Sequence, residues 1–201
     1  MPDTEPRTLR NVYAIPYSGA LSYVATSDYR HKSLDVRKFT RSVAEKALEI
    51  IRKDPMAAGL VVLGGGDIDP TVYGRMPGPH AWGSDKEQDL AEIMCIQESP
   101  VPVFGFCRGM QLCHVALSRD NEMSPLDQHL AEHLAETSGG HSLRFVSSWP
   151  EFGYSQGDML YANSIHHQGL WWRENLRQSF PNLNVLAVTV QEHPVVEIAT
   201  W

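Results

Sequence analysis

The sequence predicts an α/β fold of three layers, with a mostly parallel central sheet between helices. Three observations carry that expectation. Gly59-Leu-Val-Val-Leu63 is apolar and β-branched throughout, as in a strand buried on both faces of a parallel sheet. Val101-Pro-Val-Phe-Gly-Phe106 is a second such run, opened by Ser99-Pro100. Helical spacing flanks both runs, at Val36, Phe39, Val43, Ala47, Leu48 and Ile51 before them and at Met110, Leu112, Val115 and Ala116 after. A chain of 201 residues can build one good core, so residues 1–201 are expected to form a single domain.

Taken in order, residues 1–10 read as a polar tail and Asn11-Val-Tyr-Ala-Ile15 as a first strand ended by Pro16. Leu21-Ser-Tyr-Val-Ala25 fits either a short strand or an irregular loop. A helix is expected from an N-cap at Asp35 to the stop at Asp54-Pro55. The strand at 59–63 leads into Gly64-Gly65-Gly66, and the Gly/Pro-rich stretch 74–84 reads as a surface loop. Ser84 to Glu98 is expected to be a helix with Leu90, Ile93, Met94 and Gln97 along it, acidic in its first turn at Asp85 and Glu87. Cys95 on it should be packed and inert. Pro125 to Glu136 carries His129 and His133 at i and i+4, a spacing able to hold a metal on one helix face. A third ligand does not accompany them, so a solvated helix is the expectation and no metal is assigned. Leu143–Ser147 and Met159–Ala162 read as strands, and Asn163–Gln168 as the entry to a helix running through Trp171-Trp172, which packs. Asn184–Val190 and Val195–Ala199 complete the chain as a hairpin-like pair.

Composition narrows the function classes. The formal charge is −7, from 17 basic and 24 acidic side chains, which argues against nucleic acid and anionic membranes as partners. There is no apolar run of membrane-spanning length and the first residues do not resemble a signal peptide. Three cysteines, an odd number, suggest reduced thiols and a cytoplasmic location.

Chemistry concentrates where the second apolar run turns into a helix. Gly105-Phe-Cys107-Arg-Gly109 places a thiol between glycines at a strand-to-helix turn, the logic of a nucleophile elbow. There the helix dipole and free N–H groups favour thiolate. A buried small hydrophobe is the plainer reading of a lone cysteine, and the flanking glycines weigh against it.

These residues carry a resemblance. Gly105-Phe-Cys107-Arg-Gly109-Met-Gln111-Leu resembles the Gly-x-Cys-x-Gly-x-Gln-Leu elbow of class I glutamine amidotransferase-like proteins, and the Arg resembles the branch that hydrolyses γ-glutamyl compounds, including γ-glutamyl-γ-aminobutyrate hydrolases. Leu63-Gly-Gly-Gly-Asp67-Ile-Asp-Pro70-x-x-Tyr73-Gly is similar to that branch's oxyanion-hole turn, and Asn163-Ser-Ile-His166-His167-Gln168 to its Asn-Ser-x-His-x-Gln segment. The resemblance implies a flavodoxin-like amidotransferase fold and hydrolysis of γ-glutamyl amide bonds through a Cys107 thioester. It implies an oxyanion hole from Gly65 and Arg108, and substrate contacts from Gln111, Asn163, Ser164, His166 and His167. The partner would be a small γ-glutamyl substrate, with no cofactor and a homodimer left open. Two departures stand out. Ser84-Asp85-Lys-Glu-Gln88 only partly matches an expected Arg-Asp-x-x-Glu, and Ser118–Glu122 replaces a Gly-Gly pair.

A Cys nucleophile needs a His base and a carboxylate to orient it. The family draws both from a C-terminal His-Pro-Glu. Here His193-Pro194 is followed by Val195, so His193 with Glu197 is one candidate pair. The other alignment sets residues 185–199 on the strand pair that precedes the family's His-Pro-Glu, and is favoured by the distance from His166 and by Val195-Val-Glu197-Ile; on it the chain ends one strand short of its base. His114, seven residues past Cys107 on the same helix, is about 10 Å along the axis and out of reach. A glutaminase subunit, or an impaired or truncated relative acting as a binding or assembly module, are the alternative functions.

Overall fold

Strands with alternating or continuous burial and helices with one apolar stripe gather into two compact units, 1–72 with 82–116 and 73–81 with 117–201. The computed structural model describes residues 11–15, 21–25, 31–34, 39–81, 83–118, 126–127, 140–164, 166–173 and 176–201.

The first unit is built on a five-stranded sheet. Strand β1 (Asn11–Ile15) lies at its centre, parallel to β4 (Ala57–Val62), and β4 is parallel to β5 (Val103–Gly105). Strands β2 (Leu21–Ala25) and β3 (His31–Leu34) extend it antiparallel on the other side. The strand alternative for residues 21–25 is thus the observed one. Asp54 sets the β1–β4 junction: Asn11 Nδ2 and Tyr13 Oη donate to its Oδ2 at 2.7 and 2.8 Å, and the Met56 N–H to its Oδ1 at 2.8 Å.

Helix α1 (Arg41–Lys53) buries Ala44, Ala47, Leu48 and Ile51, the spacing that the sequence displays. It starts later than expected, because Thr40 takes extended backbone (φ −103°, ψ 171°) in the N-cap position. Phe39 is fully buried but lies ahead of the helix. The expected cap, Asp35, lies outside the described residues.

Helix α2 (Lys86–Glu98) is capped by Asp85, whose side chain accepts from the Glu87 and Gln88 N–H groups. Its inward face corrects the expectation. Gln88, Asp89, Ala91, Glu92, Ile93, Cys95 and Ile96 are buried, while Leu90 is 49 % exposed. The helix turns two carboxylates inward because a buried cation awaits them, as described below. Strand β5 was expected to be fully buried; it is shorter than the apolar run and forms the sheet's edge among the described strands, with Phe104 and Phe106 half exposed. Helix α3 (Arg108–Leu117) follows at once.

The second unit holds a four-stranded antiparallel sheet in the order β11 (Val196–Thr200), β10 (Asn184–Thr189), β7 (Gly140–Phe145), β8 (Met159–Asn163). Leu143, Phe145 and Ala187 form one buried cluster. Leu170, Leu176, Phe180, Leu183, Val185, Val188 and Val196 form another. The hairpin-like pair at the C-terminal end is therefore present.

Two expectations for this unit are corrected. Trp171-Trp172 does not sit in a helix: Gly169–Leu170 is a short strand, β9, paired with β6 (Leu126–Asp127), and Trp171 bridges to Val195. Leu170 meets its apolar partner Leu126 by strand pairing, and the helix that follows among the described residues is the single turn α4 (Leu176–Ser179). The same pairing makes Leu126–Asp127 extended rather than helical; His129 and His133 lie outside the described residues. Among the described residues no helix is long and apolar enough to cross a membrane.

Leu48→Ala should cost about 2–5 kcal/mol of unfolding free energy, since Leu48 is 1 % exposed on the buried face of α1. Glu45→Ala, which removes an exposed Arg41–Glu45 pair, should cost no more than about 0.5 kcal/mol. Urea denaturation of both variants measures the difference.

Candidate active site

In the first unit the backbone itself singles out Cys107. It is the one non-glycine residue with positive φ among the described residues, at 54°. β-Carbons crowd against the following carbonyl in this left-handed region, so L-residues enter it only when the surroundings hold them there. The glycines do the holding. A Cβ on Gly105 would fall 2.4 Å from the Gly109 oxygen, and one on Gly109 would fall 2.0 Å from the Val62 oxygen. The strand exit, the helix start and β4 therefore pack backbone to backbone, which any side chain would prevent. The Phe106 N–H donates to the Val62 carbonyl at 2.9 Å and the Gly109 N–H to that of Phe106 at 2.8 Å, closing the turn.

The thiol that results is exposed, whereas Cys95 and Cys113 are buried. Burial pushes both of those thiols up to about 12; for Cys95 the neighbouring Glu92 and Glu98 charges add to it. Gly64 lies flush against the nucleophile, its would-be Cβ 3.2 Å from Cys107 Cβ and 3.5 Å from Sγ. Gly65 is exposed beside it. As the first residue of α3, Arg108 has no preceding intrahelical carbonyl for its N–H, so that donor is available at the helix terminus. Gln111 is buried on α3 one turn on, its N–H donating to the Cys107 carbonyl at 3.3 Å. His114 is fully buried, and burial lowers its pKa to about 4, which keeps the ring neutral.

The Arg108 side chain is buried in the protein. Its guanidinium donates to Glu92 Oε2 at 2.5 Å and, through its other terminal nitrogen, to Asp89 Oδ1. Glu92 Oε1 accepts from Gln88 Nε2 at 2.7 Å, and Asp89 Oδ2 from the Asp69 N–H at 2.7 Å. Sequence reasoning missed Asp89 and Glu92 by looking for an acid pair at Ser84–Gln88. The signal was present as an Asp-x-x-Glu spacing, i and i+3, on the face shared with Ile93 and Ile96.

The remaining candidates lie in the second unit. Asn163 is exposed at the end of β8, Ser164 and His167 are buried, and His166 is half-buried. Among the described residues the buried Ser164 hydroxyl has no hydrogen-bond partner. His166 Nε2 lies 3.2 Å from Glu197 Oε1 and its Nδ1 2.8 Å from the Gln168 carbonyl oxygen. His141 Nε2 approaches the same Glu197 oxygen at 3.6 Å. Glu197 and His193 are not brought together: His193 is exposed, with its ring edge against Trp171 at 5.9 Å between centroids.

His166 faces an acceptor on each ring nitrogen, which calls for both to be donors. Burial opposes the charged ring, but the Glu197 hydrogen bond and charge, with the Gln168 carbonyl, outweigh it and raise the pKa. A ring with both nitrogens committed is a poor general base.

A mixed α/β unit with a parallel core, carrying an exposed cysteine on a strained strand-to-helix turn, defines a class of thiol-elbow proteins. The comparisons agree: the Peptidase C26 family model matches residues 44–197, and the chain belongs to that family of class I glutamine amidotransferase-like proteins. It is 29 % identical over 130 residues to a putative glutamine amidotransferase-like protein, the YvdE homolog of Lactococcus lactis subsp. cremoris, across 57 % of this chain and 64 % of that one. It is 31 % identical over 119 residues to protein NtpR of Enterococcus hirae, across 55 % and 50 %. The matches thus span about half to two thirds of the length of these relatives. The glutaminase domain of Trypanosoma brucei CTPS, solved with bound acivicin, superposes with a TM-score of 0.51 at 18 % identity, covering 78 % of this chain and 62 % of that one. That likeness shows the fold.

Iodoacetamide near neutral pH should alkylate Cys107 at least about tenfold faster than Cys95 or Cys113, because only Cys107 is accessible; equal rates by mass mapping would contradict the elbow. The raised His166 pKa has a second consequence. Its stabilisation is fully present below the unfolded value of about 6.5 and is lost as pH rises through the folded value. By NMR titration His166 should show a midpoint above about 6.5 that falls in Glu197→Gln, with a matching loss of pH-dependent stability.

Proposed function

We propose that the protein is a thiol hydrolase of γ-glutamyl amide bonds that works through a thioester on Cys107. The observation that carries this reading is the exposed thiol held at φ 54° between Gly105 and Gly109, with Gly64 against it. The Cys107 sulfur attacks the γ-carbonyl carbon. The Gly65 and Arg108 N–H groups receive the developing oxyanion, the C–N bond breaks, and the amine leaves with a proton. Water then cleaves the thioester, releasing the γ-carboxylate and restoring the thiol. On this reading Gln111, one turn past the nucleophile on α3, stands on the substrate side. Free cysteines throughout suit a reducing cytoplasm.

The base is the weak member of this machinery. His166 has both ring nitrogens engaged and His114 is buried, while His193 keeps an exposed ring but has lost Glu197 to His166. These observations favour an enzyme that acylates faster than it deacylates. They also support a second reading, in which the chain binds γ-glutamyl compounds and turns them over little.

Stopped-flow with a γ-glutamyl chromogenic amide and ester tests both readings. A burst of about one equivalent, absent in Cys107→Ala, followed by slow turnover is the expected result. Fast steady turnover abolished by His193→Ala would make His193 an effective base. Ammonia released from glutamine faster than amines from γ-glutamyl-amines would favour a glutaminase instead. Absence of acylation on any γ-glutamyl compound would overturn the hydrolase.

A further inference from the structure

Two loops are required to meet at one oxyanion: the glycine turn after β4 and the residue after the nucleophile. They arrive from separate strands, and their N–H groups must be fixed relative to one another to a fraction of an ångström if both are to serve one oxygen. The Cys107 turn is anchored by its glycines. The other loop runs from Leu63 through Gly66 to Asp69, and three consecutive glycines give it little intrinsic rigidity.

One side chain reaches both. Asp89 accepts from the Arg108 guanidinium on Oδ1 and from the Asp69 N–H, at 2.7 Å, on Oδ2. It is fully buried on α2, and Ile68, adjacent to the bonded amide, is fully buried too. Asp69 is itself locked, its Oδ1 accepting from the Thr71 N–H at 2.8 Å and the Thr71 hydroxyl at 2.7 Å. Glu92 differs in one respect. It shares the same guanidinium, but its second oxygen goes to Gln88, its neighbour on α2, and not to the glycine-turn side.

We propose that Asp89 is a positioning residue for the oxyanion hole, a bracket that ties the Gly64–Gly66 turn to Arg108, whereas Glu92 serves only to hold the guanidinium. The proposal rests on the reading of Cys107 as an acyl nucleophile. It assigns no contact between Asp89 and substrate; the carboxylate acts through the two backbone segments that it joins.

The experiment compares two reactions of the same thiol. Acetylation of Cys107 by p-nitrophenyl acetate passes through a tetrahedral oxyanion, and alkylation by iodoacetamide does not. The ratio of the two rates, read by mass mapping of Cys107, therefore reports the hole and needs no knowledge of the natural substrate. Asp89→Asn should lower that ratio by about tenfold or more, the scale of a misplaced donor. Glu92→Gln should leave the ratio within about twofold of the parent, even where stability falls as much. Thermal midpoints are measured beside the rates, so that a loss proportional to destabilisation is recognised. If Asp89→Asn does not fold, Asp89→Glu keeps a carboxylate for Arg108 while displacing its second oxygen by one methylene, and the same fall in ratio is expected. An unchanged ratio in the folded Asp89 variant, or equal falls for Asp89 and Glu92 variants, would overturn the bracket. A parent that acetylates normally but cleaves no γ-glutamyl amide would instead refute the substrate assignment and leave the bracket standing.

Discussion

Cys107 sits in a backbone conformation that costs an L-residue about 1–2 kcal/mol, and much of the first unit is arranged to hold it there. The constraint is steric before it is chemical. Three backbone segments, the end of β4, the exit of β5 and the first turn of α3, touch at Gly105 and Gly109, where a Cβ would sit 2.4 and 2.0 Å from carbonyl oxygens. Because those contacts leave no room, the only side chain at the apex is pushed outward. The same geometry sets the thiol at the N-terminus of a ten-residue helix, whose first N–H groups have no carbonyl of their own. Reactivity follows from a packing problem solved with glycine.

Behind the elbow lies a cluster of buried charge whose purpose is better understood as alignment than as stability. Taking three ionisable side chains out of water costs several kcal/mol per ion, and mutual attraction returns it only with complete hydrogen bonding. The carboxylates meet that condition, each of the four oxygens of Asp89 and Glu92 accepting one bond, while the buried Arg108 Nε has no hydrogen-bond partner among the described residues. Burial still outweighs the Arg108 charge, so both carboxyl pKa values are raised. An apolar replacement could fill the same volume at less cost. What it could not do is point in two directions at once, toward the residue after the nucleophile and toward the loop after the glycine turn.

The second unit shows a different use of charge. Glu197 on β11 reaches across β10 to His141 on β7, and takes His166 from the loop after β8. A carboxylate shared between two imidazoles knits the sheet to that loop. It also changes the chemistry available: a histidine with a carboxylate partner has the outline of a catalytic pair, but His166 spends its second nitrogen on the Gln168 carbonyl. Proximity of His to Glu is therefore an insufficient sign of a base. The state of the other ring nitrogen decides.

By itself the sequence determined the strand at the fourth position of the fold, the amphipathic stripe of α1, the elbow and its glycines, and the closing strand pair, because each is a local pattern of period or of turn chemistry. Val61 and Val62 lie in a short β-branched run bounded by Gly59 and Gly64, which favours a strand, and Gly-x-Cys-x-Gly needs no distant partner to be recognised. Tertiary structure decided what local pattern leaves open. It turned Asp89 and Glu92 inward, against the ordinary preference of carboxylates for water, because Arg108 lies opposite them nineteen and sixteen residues later. It gave Gly169–Leu170 to a strand by supplying Leu126 as partner, where spacing alone suggested a helix. And it assigned Glu197 to His166 rather than His193, a choice between two histidines that only the pairing of β10 with β7 and β11 could make, since sequence distance carries no information about which side chain lies across a sheet.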